Sequence, residues 1–358
     1  MSSSRPPPRA DAVVAGVGAR SHNGLTALQV TMSVRAGKMD PCESHIIDRH
    51  GEPVGVCRLM CIGDRVQGLD RFVALGAPAL RQAVFPWLDM FAQRGQTAPE
   101  LPVILSLPDE RRPGLDPRLP EEVFQKLAER ARVPLARARS SLVFACRGGG
   151  VTAFEQAIAR LKTGDVEAVA VGGIDSYFDP DILEHLDAEM RLHGLETENG
   201  FIPGEGAAFL LMTTRRGAGS LTRYAEIKAT ATALEPRPFG SSEPCFGLGM
   251  TAAVKNALAG VADGSIAWVL TDVANERHRV EEWEFAEGRN HRAMSADVIH
   301  DQPLLMTGEI GSASAAMLVA IAATRFQTGC AEASRALIAV HSDGPERGAM
   351  LIEQETSP

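Results

Sequence analysis

Phe144-Ala145-Cys146-Arg147-Gly148-Gly149-Gly150 opens a helical pattern, and Gly200-Phe201-Ile202-Pro203-Gly204-Glu205-Gly206-Ala207 follows about fifty residues later. An apolar strand-like run, Ser141 to Ala145, feeds the first stretch. Beyond it Val151, Phe154, Ile158 and Leu161 recur at the spacing of one helix face. Thr163-Gly164-Asp165 ends that helix by supplying a residue tolerant of the left-handed conformation. Glu167 to Val171 then reads as a strand stopped by Gly172-Gly173. A cysteine at a glycine-cushioned helix start is where a lowered thiol pKa would make an acyl-accepting nucleophile.

The second half of the chain repeats this arrangement. Ala313 to Ala323 is apolar nearly all round, which predicts a buried helix. It ends in Phe326-Gln327-Thr328-Gly329, echoing Leu161-Lys162-Thr163-Gly164, and a strand at Ala336 to Val340 closes in Ser342-Asp343-Gly344. Two such copies imply a duplicated α/β unit. The offset of about 165 residues sets Cys146-Arg147 opposite Gly311-Ser312. Both turns, Gly148-Gly149 and Gly311-Ser312, offer backbone N–H groups at a helix start, an oxyanion or anion site in principle. The other reading is that the glycines permit tight packing of two central helices. Further strands are expected at Ala12 to Val17, Val103 to Leu107 and Phe209 to Met212, and helices at Arg71 to Val84 and Glu121 to Ala131. The organisation reads as a disordered tail over 1–9, one half over 10–220 and a second over 221–358.

Composition narrows the function. The chain has 358 residues, is 45% hydrophobic, and carries a formal net charge of −9. The acidic balance and the lack of a Lys/Arg block argue against nucleic acid as a partner. No run approaches the ~18 apolar residues that a spanning helix requires, so no membrane partner and a cytoplasmic address are expected. The six cysteines are scattered; Cys57 and Cys61 form a lone C-x₃-C with no second pair, so no metal site and no cofactor is read here.

Val13-Val14-Ala15-Gly16-Val17-Gly18, Asp70-Arg71-Phe72, the stretch Leu161 through Gly173 and the block Gly200 through Ala207 resemble the β-ketoacyl synthase branch of the thiolase superfamily. The resemblance extends loosely over almost the whole chain and is specific through 141–212. It implies a duplicated thiolase fold, five layers αβαβα with two central buried helices, and a homodimer or a heterodimer with a related synthase. Such dimers pair through the strand leading into the cysteine, here Ser141 to Ala145.

The family's chemistry does not carry over intact. A condensing enzyme uses one thiolate and two imidazoles. Counted back from Lys162-Thr163-Gly164 without a gap, the nucleophile slot falls on Arg147, with Cys146 one position early. The first histidine slot falls at Asp272, near Asn275 and Glu276; the second, in Thr307-Gly308-Glu309-Ile310-Gly311, holds Glu309. The terminal glycine loop is replaced by His341-Ser342-Asp343-Gly344. Arg147, Asp272, Asn275 and Glu309 are therefore read as a degenerate pocket, with Cys146 the one candidate nucleophile. Glu205 reads as structural, and His185, His193, His278 and His291 as surface residues. The resemblance implies a non-condensing binding or accessory protein, similar to thiolase-like proteins encoded near type VI secretion effector genes, with an effector or adaptor as partner. Alternatives are an acyltransferase using Cys146 on acyl carrier protein or coenzyme A thioesters, and a chain-length-factor-like partner of an active synthase.

Overall fold

The computed structural model describes residues 12–194 and 197–355, so the tail expected over 1–9 lies outside the described residues. The first half runs β1 (Ala12–Ser21), α1 (Ala27–Arg35), a hairpin of β2 (Cys42–Ile47) and β3 (Pro53–Val56), α2 (Gly68–Gln93), β4 (Val103–Leu107) and α3 (Leu119–Ala131). It continues through β5 (Ser141–Phe144), α4 (Cys146–Thr163), β6 (Ala168–Ser176), α5 (Pro180–Ala188) and β7 (Glu205–Thr214). After the short α6 (Arg215–Ala218) come β8 (Ala225–Leu234), α7 (Leu248–Ala257), β9 (Ile266–Thr271), α8 (Arg277–Asn290) and β10 (Met294–Asp301). The chain closes with the short α9 (Leu304–Thr307), α10 (Ser314–Thr328), β11 (Arg335–His341) and β12 (Glu346–Gln354).

Ten strands hydrogen-bond in the order β10-β9-β11-β12-β8-β1-β7-β6-β4-β5. The order is its own mirror: β5-β4-β6-β7-β1 repeats as β10-β9-β11-β12-β8, with matching parallel and antiparallel pairings. The two halves meet where Ala12–Val14 of β1 pairs with Ala225–Ile227 of β8. Helix α2, with α3 on it, covers one half; α7, with α8 on it, covers the other; α4 and α10 contact strands of both. The result is the layered, duplicated α/β architecture expected from the sequence.

Helix α10 is buried from Ser314 to Phe326, as its all-round apolar sequence requires. Both Thr-Gly stops are left-handed caps, Gly164 at φ 76° and Gly329 at φ 69°. The expected strand break at Gly172-Gly173 does not occur: β6 continues to Ser176. Those glycines serve close approach instead. A Cβ on Gly172 would sit 2.3 Å from the Phe209 ring, and one on Gly173 would sit 2.1 Å from the Ser312 carbonyl oxygen. Helix α2 is also longer than its predicted core, running through Pro78 and Pro86, because one face stays buried from Leu69 to Trp87 while Asp70, Pro78 and Phe85 face outward. Among the described residues no helix is long and apolar enough to cross a membrane.

The central helices touch at their N-terminal ends, where a Cβ on Gly150 would lie 2.4 Å from the Ala315 Cβ. Gly150→Ala should therefore lower stability by about 1–3 kcal/mol through overpacking, despite a helix-propensity gain of about 1 kcal/mol. Adding Ala315→Gly in the same chain should recover most of the loss in urea denaturation. Equal midpoints for Gly150→Ala and the unaltered protein would refute this account of the central packing.

Candidate functional site

Strand β5 turns into α4 through Cys146, whose φ of +50° is left-handed and unusual for a side chain other than glycine. A sharp strand-to-helix elbow of this kind displays one side chain and turns the next inward. The ungapped count put the slot on Arg147; the backbone puts the strained turn on Cys146. The thiol faces a cleft of about 430 Å³, whose lining includes Arg112, Tyr177, Arg191, Phe201 and Asp343. The expected lowering of its pKa is not found. Burial pushes the thiol up to about 12, and Arg147 does not offset burial together with the nearby carboxylates.

Arg147 is fully buried. Its Nε donates to the His341 carbonyl at 2.6 Å and lies 3.5 Å from Asp272 Oδ2; its Nη1 is 3.1 Å from Glu309 Oε2, and its Nη2 pairs with Asp343. Arg279 adds pairs to Glu309 and Glu276, and Arg191 bridges Glu276 at 2.8 Å and Asp343 at 2.9 Å. Asp272 also accepts from the His341 backbone N–H at 2.9 Å and meets its Nδ1 at 2.5 Å. Burial alone would raise these carboxyls. His341 and Arg147 hold Asp272 below the usual carboxylate range, Arg279 and Arg191 do the same for Glu276, and Arg147, Arg191 and Arg279 hold Asp343 well below it.

The two glycine turns are already occupied. Gly148 N–H donates to the Ser342 hydroxyl at 2.9 Å and Gly149 N–H to the Ala145 carbonyl at 3.1 Å. Gly311 N–H donates to Glu309 at 2.7 Å and Ser312 N–H to Asp175 at 2.8 Å. Asp175 is held in turn by Arg112 at 2.6 Å. The second turn therefore binds anions, but they are the protein's own carboxylates.

Of the residues marked in the sequence, Arg147, Asp272 and Glu309 come together, while Asn275 does not join them. Asn275 is exposed, and its amide donates to the carbonyls of Glu198 and Gly200. Glu205 is buried and pairs with Arg71 at 2.5 Å, a link between β7 and α2. His185, His193 and His291 are exposed; His278 is half-buried, stacks on Phe239, and burial lowers its pKa to about 4. Arg191, Arg279, Arg112 and Asp175 carry no local signal in the sequence. Ligand atoms of Glu276, His278 and Asp343 lie within 4.8 Å of one another, but both carboxylates are committed to arginines, which disfavours a cation there.

The sequence matches no protein-family model, and no curated protein is significantly similar to it. Solved structures do match. The ishigamide ketosynthase/chain length factor aligns at 18% identity and TM-score 0.71, over 96% of this chain and 99% of that one. The AntDE:AntF complex, a type II PKS acyl-carrier protein with its ketosynthase bound to the hexaketide, aligns at 14% and 0.75, over 97% and 100%. The ketosynthase of Xenorhabdus doucetiae in complex with its chain length factor aligns at 14% and 0.73, over 98% and 100%. At these identities the likeness establishes the fold: a thiolase-like ketosynthase fold.

Removing the Arg147 charge leaves Asp272 and Glu309 buried without their central partner. Arg147→Met should cost about 3–5 kcal/mol at pH 7. Asp272 and Asp343, which Arg147 helps to hold low, contribute stability that is present above their unfolded pKa values, about 4, and lost as pH falls through the folded ones. The gap between the two proteins should therefore narrow below about pH 4. Denaturation curves at pH 7 and pH 3.5 check this, and a gap independent of pH would refute it.

Proposed function

We propose that this chain is a non-condensing, ketosynthase-like subunit that pairs with an active synthase in the manner of a chain-length factor. The closed ion cluster carries the reading. Condensation draws on imidazoles that donate hydrogen bonds to a developing enolate. The sequence resemblance sets Asp272 and Glu309 at those slots, and their carboxylates are committed to arginines, so neither can donate or act as a free base.

The solved complexes of a ketosynthase with its chain length factor support a heterodimer, and the complex with an acyl-carrier protein supports a carrier as a further partner. Strand β5 ends the sheet, and its Leu142 and Phe144 are only partly covered. An apolar edge of this kind calls for a partner, and the reading assigns it the synthase.

Acyl transfer through Cys146 is the second reading, favoured by the strained elbow and the cleft beside it. The raised thiol pKa weighs against it. The effector-loading role rests on the sequence resemblance alone, and neither the site nor the structural matches bear on it.

Co-expression with a ketosynthase from the same genome should give a one-to-one complex, and Leu142→Asp with Phe144→Asp should weaken it at least about tenfold, as loss of buried apolar contacts would. The chain alone should not decarboxylate malonyl thioesters, and Cys146→Ala should leave pairing and product length unchanged. Decarboxylation by the isolated chain, abolished by Asp272→Ala, would overturn the proposal. Loss of product in Cys146→Ala with pairing intact would favour acyl transfer.

A further inference from the structure

Helix α8 lies outermost over the second half, packed on α7. Its inward residues are Arg279, Glu282, Trp283 and Ala286, which recur at the spacing of one helix face. The opposite face is exposed and includes Glu281, Phe285, Gly288 and Arg289. A solvated outer face ordinarily carries polar groups alone, yet Phe285 sits in the middle of this one. Three further apolar side chains gather beside it. Phe246 packs on Phe285 with ring centroids 6.1 Å apart, and Leu248 follows it at the start of α7. Leu234 ends β8 against the same turn, where a Cβ on Gly249 would lie 2.8 Å from the Leu234 carbonyl carbon. The four are between 41% and 70% exposed. Single exposed apolar side chains need no explanation, but a contiguous patch rimmed by charge marks an interaction surface. The Arg289 guanidinium lies 5.3 Å from the Phe285 ring centroid and that of Arg237 5.9 Å from the Phe246 centroid, an arginine-on-aromatic rim enriched at interfaces.

From this surface we infer that α8 packs against α8 of a second copy of this chain, across a two-fold axis at Phe285. The charges select this occupant. Glu281 and Arg289 stand four residues before and after Phe285, each about 6 Å along the axis and on the same face. In an isologous contact residue i meets j and j meets i. With the axis at Phe285 the helices run antiparallel, the two Phe285 rings meet, and Glu281 of each copy comes level with Arg289 of the other. A shift of the axis to residue 283 would lose the match, because Arg277 would then face Arg289. Gly288 projects no side chain and has open space beside it, which lets the two backbones approach next to the rings. Within one chain Glu281 pairs with Arg277 at 2.6 Å, and Arg289 donates to the Phe246 carbonyl and the Thr251 hydroxyl. Exposed contacts of this kind contribute little, so both side chains are free to turn to the second copy. The face belongs to the second half of the chain and β5 to the first, so the contact leaves the edge proposed for the synthase open. A helix pair with flanking apolar residues is small for a specific interface, which sets the expected dissociation constant at about 1–100 µM.

The inference does not rest on pairing with a synthase, and its test uses the isolated full chain. Sedimentation velocity over about 1–300 µM, a range that brackets the expected constant, should show a monomer–dimer equilibrium. Phe285→Asp should weaken it at least about tenfold, as loss of a central aromatic contact would. Glu281→Arg and Arg289→Glu each set like charges together and should each weaken it about tenfold. The double reversal pairs them again and should return the constant to within about threefold of the unaltered chain. Leu142→Asp with Phe144→Asp should leave the dimer intact, which separates this contact from the β5 edge. A chain that stays monomeric throughout, or a dimer dissolved by the β5 substitutions, would overturn the inference. So would a folded Phe285→Asp protein that dimerises like the unaltered chain. A double reversal no better than the weaker single one would overturn it too, because Glu281→Arg cannot repair the contacts of Arg289 within its own chain. The concentration dependence is read on the unaltered chain, so the test stands even if a variant fails to fold.

Discussion

A permanently charged guanidinium at the centre of the molecule sets the terms for everything around it. Arg147 has no exposed surface and cannot lose its proton, so its position is tolerable only with carboxylates in contact; its Nε and Nη2 are hydrogen-bonded, and its Nη1 faces Glu309 as an ion pair. Asp272 comes from the loop after β9, Glu309 from the turn before α10, and Asp343 from the loop after β11. These three segments are far apart in sequence and belong to the second half of the duplicated fold, while Arg147 belongs to the first. The ion cluster is thus also the polar tie between the halves. Three arginines (147, 191 and 279) contact all four carboxylates (272, 276, 309 and 343), and Asp272 also meets His341.

Occupying the centre with internal ions has a second consequence. Backbone N–H groups at a glycine turn favour a negative charge, which elsewhere can be a substrate. Here Glu309 and Asp175 fill that role at the second turn, and Ser342 takes the N–H of Gly148 at the first. A ligand would have to displace a buried carboxylate that already balances an arginine. Members of the same cluster also line two spaces, Arg191 and Asp343 the thiol cleft and Glu309 an apolar cavity, so a single arrangement fills the second anion turn and walls both.

Much of the fold was legible because its signals are local. The Thr163-Gly164 and Thr328-Gly329 stops, the all-apolar run from Ala313 and the offset between the copies each report a nearby backbone requirement, and the structure meets each of them. Gly172-Gly173 misled because the reason for those glycines is not local: they make room for Phe209 and the Ser312 carbonyl, which arrive from other strands and turns. The site divides in the same way. Asp272 and Glu309 could be marked through the family resemblance, which sets its histidine slots after a strand and within a glycine turn. Arg191, Arg279, Arg112 and Asp175 could not, because their roles depend on partners brought in by packing; Arg191 reaches Glu276, 85 residues away.

The elbow at Cys146 shows how geometry outlasts chemistry. A non-glycine residue in the left-handed region costs roughly 1–2 kcal/mol, and a thiol pushed up to about 12 yields little nucleophile at neutral pH in return. The turn has another consequence. With Cys146 turned toward the cleft, the next side chain, Arg147, points into the centre, where it meets the His341 carbonyl and three carboxylates. Relaxing the elbow would re-aim that guanidinium, leave buried Asp272 with no arginine and strip Glu309 and Asp343 of one of theirs, at a cost of several kcal/mol. The strain at Cys146 is thus smaller than the penalty it prevents, and the turn is held in place by the charge that follows it.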